Sequence, residues 1–191
     1  MITKSRKRMD SGFRFIGRTF SFLSPNQWTL LSLLPALLTA WLILRQSFLP
    51  ASLFLLLAGF FDLVDGAVAR YRRMESKLGA YLDTMIDRWI EGLVILPLFL
   101  IPLPAFLLPA GFWLAAYLFG SLLTTYAKAA SAEKGLKAVR GGLLERPERI
   151  LCIFLALLLA SFDPLWLVFL FSILSILANL TAIQRLILAI K

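Results

Sequence analysis

Charge is scarce in this chain: of 191 residues only 16% are Asp, Glu, Lys or Arg, while 60% are hydrophobic. A sequence so poor in charge cannot keep that much apolar surface from water as a soluble domain, so its solvent is lipid. Cysteine is nearly absent too. The single Cys152 excludes an intramolecular disulfide, and its apolar run makes the thiol a packing group. The apolar runs lack the two-residue alternation of barrel strands, and unpaired backbone groups are too costly in lipid, which leaves helices. There is no internal repeat, and only the polar stretch 128–149 breaks a series of short connections.

Each crossing of the hydrocarbon needs about 20 apolar residues. Apolar stretches near 27–48, 50–69, 78–99, 104–127, 148–162 and 164–184 therefore predict an all-α bundle of six transmembrane helices, the fifth short. The formal charge of +9 could serve nucleic acid, but its distribution says otherwise. Lys4, Arg6, Lys7, Arg8, Arg14 and Arg18 precede the first span, Arg70, Arg72, Arg73 and Lys77 surround the second connection, and Lys128, Lys134, Lys137, Arg140, Arg146 and Arg149 surround the fourth. The connections near 100–104 and 162–164 carry none. Positive residues mark the cytoplasmic side, so both termini and the basic connections are expected there, in a multi-pass protein of the cell membrane. Phe13, Ile16 and Phe20 recur at helical spacing among basic residues, which predicts a basic amphipathic helix on an anionic membrane surface within residues 1–24, ahead of a membrane domain over 25–191.

Carboxylates inside membrane spans are costly and point to function. Asp62 and Asp65 are i, i+3 neighbours, and Asp83 and Asp87 are i, i+4 neighbours, so each pair shares a helix face. A short basic turn joins the two helices, which makes them antiparallel and lets both pairs meet near the cytoplasmic end. Four carboxylates so close need cations, and an all-oxygen set favours hard divalent ions, Mg2+ or Mn2+; two would balance the charge and attract a pyrophosphate. Gly66 and Ala69 share the face of Asp62 and Asp65, and Gly79 lies on the approach to Asp83, so a ligand could press against helix backbone there. Arg70 is placed to meet phosphate. An ion pathway, or buried pairs of the aspartates with Arg70 and Arg88, are the competing readings. A pathway lacks a second half, because beyond Arg45 and Asp163 the non-cytoplasmic halves of the spans carry no charge. A purely scaffolding role leaves the four aspartates without a purpose.

Residues 62–87 match D-x2-D-G-x2-A-R-x8-G-x3-D-x3-D at all eight fixed positions, and Pro25-Asn26-Gln27-Trp28-Thr29 resembles the Pro-Asn-x-x-Thr element of the same family. The sequence thus resembles the CDP-alcohol phosphotransferases. The resemblance implies a six-helix fold, usually homodimeric, in which Asp62, Asp65, Asp83 and Asp87 surround two metal ions and Asp87 also acts as base. It implies that Asn26, Thr29, Gly66, Ala69, Arg70, Ser76 and Gly79 hold the cytidine diphosphate part of a CDP-lipid donor. Ser76, as a polar turn residue, and Arg88, as an ion-pair partner of Glu91 or Asp87, also have plain structural readings.

The stretch from Tyr126 to Arg149 resembles the corresponding region of phosphatidylinositol-phosphate and archaetidylinositol-phosphate synthases, which implies inositol phosphate as acceptor. Lys128, Arg146, Arg149 and Arg185 could supply the cations that a phosphorylated acceptor needs. Ala130 departs from the pattern, standing where a second basic residue is frequent. Glycerol phosphate and serine remain alternative acceptors, and the same cations read also as topology charges, with Pro147 opening the fifth helix.

Overall fold

The protein is described by a computed structural model over residues 12–136 and 142–190. Among these residues the architecture is all-helical, with one isolated bridge between Phe106 and Leu108 and no strand. The helices are α1 (residues 12–19), α2 (Pro25–Leu31), α3 (Leu33–Leu44), α4 (Phe48–Arg72), α5 (Lys77–Ile95), α6 (Ala110–Glu133), α7 (Arg146–Ala160) and α8 (Pro164–Ile190), with a 3-10 turn at Leu96–Leu100. Among the described residues three stretches are long and apolar enough to cross a membrane: Pro25–Leu44, Phe48–Arg72 and Pro164–Ile190.

Proline accounts for most departures from the expected boundaries. Pro35 has no N–H to give Leu31, so the first apolar stretch breaks at Ser32 into α2 and α3. Pro97 ends α5 in a 3-10 turn at Leu96–Leu100. The fourth helix, expected near 104, starts only after Pro109 and runs on through Glu133, six residues past the expected limit of 127.

The chain divides into two compact units, one of Met1–Thr39 with Phe54–Leu93 and the other of Ala40–Leu53 with Val94–Lys191. The core of the first forms around Trp28, Val64 and Val68, with Ile16, Phe20, Leu23, Leu31 and Phe61 packed on them. The Trp28 indole donates to the Phe20 carbonyl at 3.0 Å and meets the Phe20, Phe22 and Phe61 rings edge-on. Helix α1 covers residues 12–19 of the expected 1–24; Ile16 and, just past its end, Phe20 cover this core, while Phe15 and Phe22 are exposed rings. Gly17 allows the close approach: a Cβ there would lie 2.6 Å from the Ala67 carbonyl oxygen. The lysines and arginines at 4–8 lie outside the described residues.

In the second unit α8 packs on α6 and α7. Gly120 brings α6 against α8, since a Cβ there would meet the Asn179 backbone nitrogen at 2.8 Å. Asn179 Nδ2 donates to the Ala116 carbonyl at 2.9 Å and Tyr117 meets Phe171 edge-on at 5.4 Å. Lipid tails are as apolar as leucine, so small residues and interhelical hydrogen bonds must supply such contacts.

Candidate functional site

Helix α2 begins with a built cap. Gln27 Oε1 accepts from the Ser24 backbone N–H at 2.8 Å and from its hydroxyl at 2.9 Å, and Pro25 occupies the first turn, where its missing N–H costs nothing. The cap sets the phase of the helix, which brings Thr29 to α4. Thr29 Oγ1 lies 2.6 Å from Asp65 Oδ2 and 3.1 Å from the Pro25 carbonyl; a carboxylate only accepts, so the single hydroxyl proton goes to Asp65. Both residues are buried.

Asp62, Asp83 and Asp87 each offer a carboxylate oxygen, and the three oxygens lie within 4.8 Å of one another. Asp62 and Asp83 are half-buried and Asp87 is buried. Three of the four expected carboxylates lie within that distance of one another, and the fourth, Asp65, accepts the Thr29 hydrogen bond and lines the adjoining cavity with Asp83. Hard oxygen donors at this spacing, drawn from two helices, fit a magnesium or manganese ion.

Beside the cluster is a cavity of about 350 Å³. It is lined by Asn26, Thr29, Asp65, Gly66, Ala69, Arg70, Ser76, Gly79 and Asp83, among others. Every residue expected to hold the donor lines it, and Asp83 belongs to both the cavity and the carboxylate cluster. A Cβ on Gly66 would meet only an Arg70 nitrogen at 3.6 Å, so its missing side chain keeps space open rather than relieving a clash. At Gly79 a Cβ would stand 3.1 Å from Ser76 Oγ and 3.3 Å from Asn26 Oδ1, so glycine lets both polar groups close on the helix start. Ser76 also caps α5, its hydroxyl oxygen accepting from Gly79 N–H at 3.0 Å, which is its structural reading. Arg70 is held from two directions: its Nε donates to the Gly66 carbonyl at 3.0 Å and its guanidinium lies over the Phe13 ring at 4.2 Å. Arg88 forms an ion pair with Glu91, its expected structural role.

The basic residues expected for the acceptor belong to the second unit. Arg149 is buried on α7 and Arg185 nearly so on α8, and Arg149 and Glu145 are charged neighbours of Arg185. Arg185 Nη1 donates to the Thr124 carbonyl on α6 at 2.8 Å. The segment ahead of α7 is tied to α8, with Leu144 N–H donating to Thr181 Oγ1 at 3.2 Å and Leu143 N–H to Gln184 Oε1 at 3.3 Å. Arg146 opens α7 half-exposed, and Lys128 is exposed on α6. Arg149 and Arg185 are thus brought together, with Lys128 on the surface. Sequence reasoning missed Thr124, Thr181 and Gln184, ordinary polar residues in apolar helices whose role comes from partners 37 to 61 positions away.

The sequence profile described as CDP-alcohol phosphatidyltransferase matches residues 22–188. The archaetidylinositol phosphate synthase of Pyrococcus horikoshii is 33% identical over 160 residues, which span 82% of this chain and 81% of that protein. The enzyme of the same name from Aeropyrum pernix is 34% identical over 175 residues, 87% and 86% of the two chains. Among solved structures, Mycobacterium tuberculosis phosphatidylinositol phosphate synthase with CDP-DAG bound superposes with a TM-score of 0.80 at 25% identity, covering 93% of this chain and 92% of that one. The same enzyme in complex with manganese and citrate gives a TM-score of 0.81 at 26% identity, covering 94% and 89%.

Proposed function

The chain belongs to the CDP-alcohol phosphatidyltransferase family, and we propose on that premise that it transfers the lipid phosphate of a CDP-lipid to inositol phosphate, releasing CMP, in phospholipid synthesis. The observation that carries this reading is the meeting of Asp62, Asp83 and Asp87 at the edge of a cavity lined by the donor-binding residues of the family signature. The acceptor is supported by the archaetidylinositol phosphate synthases to which the chain is similar and by the buried pair Arg149 and Arg185.

In this mechanism Asn26, Thr29, Gly66, Ala69, Ser76 and Gly79 form the cradle for the cytidine diphosphate and Arg70 faces its phosphates. Magnesium or manganese, two ions in this reading, held by Asp62, Asp65, Asp83 and Asp87, would screen the diphosphate and the leaving CMP. Asp87 takes the proton of the acceptor hydroxyl. That oxygen bonds to the lipid-side phosphorus as the bond from this phosphorus to the bridging oxygen breaks, and CMP departs with the bridging oxygen. Arg149 and Arg185, with Arg146 and Lys128, bind the acceptor's own phosphate, which does not react. The Thr29 hydroxyl holds one oxygen of Asp65, a residue that lines the cavity.

In the membrane, α2 with α3, α4, α5, α6, α7 and α8 form six spans, with both termini, the basic connections and the carboxylates on the cytoplasmic side and residues 1–24 at the interface. The charge distribution supports this orientation. At 15 residues α7 is roughly 22 Å long, the shortest span. The enzyme works as a homodimer in this reading.

The test is CMP release by purified protein in lipid or detergent, with a CDP-lipid, magnesium or manganese, and inositol phosphate, glycerol phosphate or serine as acceptor. Product with inositol phosphate alone is expected. Product with another alcohol would overturn the acceptor, and no release with any acceptor or donor tail would overturn the reaction.

A further inference from the structure

A second cavity, of about 540 Å³, is lined by Phe13, Arg14, Ala67, Arg70, Tyr71 and Arg73. It shares Arg70 with the donor cavity and none of its other lining residues. Among its described lining residues three of six are arginines and none is acidic, so the described wall is cationic.

The backbone beside it is shaped at some cost. Helix α4 ends in a Schellman turn, with Met74 N–H donating to the Ala69 carbonyl at 2.9 Å and Arg73 N–H to the Arg70 carbonyl at 3.3 Å. The left-handed position of this turn, at φ 53°, is filled by Arg73, where glycine is usual. A side chain there costs about 1–2 kcal/mol. The helix dipole does not account for it, since Arg70 and Arg72 already place cations in the last turn. What the position does provide is a third guanidinium on the cavity wall.

The cavity also lies at a defined depth. The apolar run of α4 ends at Arg70, so the end of the helix belongs at the level where hydrocarbon gives way to headgroups. Phe15 in α1 and Phe22 in the turn after it are each 71% exposed. Exposed apolar rings in the same segment as cavity-lining Arg14 suit a surface that is greasy on one side and anionic on the other.

We propose that this cavity is a second phosphate site, distinct from the donor pocket, that holds a phosphate-ester anion between Arg14, Arg70 and Arg73. Guanidinium groups bind phosphate oxygens through paired N–H donors, and three of them around one cavity give the site its selectivity over neutral headgroups. Because Arg70 lines both cavities, binding at one is linked to binding at the other. The anion can come from an anionic phospholipid or from free phosphate.

The full chain, delipidated and placed in nanodiscs of phosphatidylcholine with a small fraction of phosphatidylglycerol, distinguishes the two. Phosphatidylglycerol retention is read by native mass spectrometry, and inorganic phosphate is titrated calorimetrically into discs of phosphatidylcholine alone. Retention of phosphatidylglycerol over phosphatidylcholine, without heat from phosphate, assigns a lipid headgroup; phosphate heat in neutral discs assigns the soluble anion. Either signal should fall at least fivefold in the Arg14→Gln, Arg73→Gln double variant and return in Arg14→Lys, Arg73→Lys, whose recovery shows that charge and not folding was lost. Signals that are equal in the Gln double variant and the parent, or absent from the parent in both arms, overturn the proposal.

Discussion

Replacing Asp87 by Asn removes one charge from a cluster of three carboxylates whose oxygens lie within 4.8 Å of one another. At that separation each pair of unit charges repels by about 3.5 kcal/mol for an effective dielectric near 20. Asp87 takes part in two of the three pairs, so the substitution relieves repulsion on the order of 7 kcal/mol in the metal-free protein, before further screening by solvent and neighbouring groups. The same change removes a ligand that divalent ions need. Asp87→Asn should therefore melt higher than the parent in chelator, gain little when manganese is added, and lose transfer altogether. The assay is thermal unfolding in detergent, with chelator and with manganese, beside CMP release from the same preparation. A variant that manganese stabilises as much as the parent, or that still transfers, would refute the reasoning; so would a metal-free variant that melts lower, since the carboxylates would then be held by attractions within the fold rather than pushed apart.

Three further outcomes are expected. Arg149→Met should raise the KM for inositol phosphate by about 10-fold or more, the loss of one charge-assisted hydrogen bond worth about 1.5–3 kcal/mol, with the donor KM within about 2-fold of the parent; equal rises in both would make Arg149 structural. Gly79→Val should raise the CDP-lipid KM more than Gly79→Ala does, because the added atoms crowd Ser76 and Asn26 and enter the cavity, and steady-state kinetics at saturating acceptor reads this directly. Gly120→Ala should lower thermal stability by about 1–3 kcal/mol through its clash with Asn179, while Gly92→Ala, where nothing lies within 4 Å, should be neutral or gain the helix preference of alanine over glycine, about 0.5–1 kcal/mol.

The carboxylate pairs could be read from spacing because a helix repeats every 3.6 residues, and local period is a property of sequence alone. Spacing also put Gly66, Ala69 and Arg70 on the face of Asp65, and all of these line one cavity. What spacing could not say is which neighbour each carboxylate meets. Asp65 and Thr29 are 36 residues apart, and only the packing of α2 on α4 shows that the Thr29 hydroxyl is the partner Asp65 meets. The α1 pattern was likewise legible as a helix, but an apolar stripe reads the same whether lipid or protein covers it, and here Trp28, Val64 and Val68 are covered by Ile16 and Phe20. Helix boundaries slipped where Pro35, Pro97 and Pro109 interrupt apolar runs that hydropathy alone reads as continuous.

By itself, the sequence determined that this is a helical protein of the membrane, that four aspartates fall as two same-face pairs in 62–65 and 83–87, and that small residues lie beside them. These follow from composition and period, which need no partner. Only the tertiary structure decided that three aspartates converge and the fourth is held by Thr29, that Arg70 rests on Phe13 between two cavities, and that Arg149 and Arg185 come together against α6. Each of these depends on side chains distant in the chain, and the distance between two such groups is set by how helices pack, which no local pattern encodes.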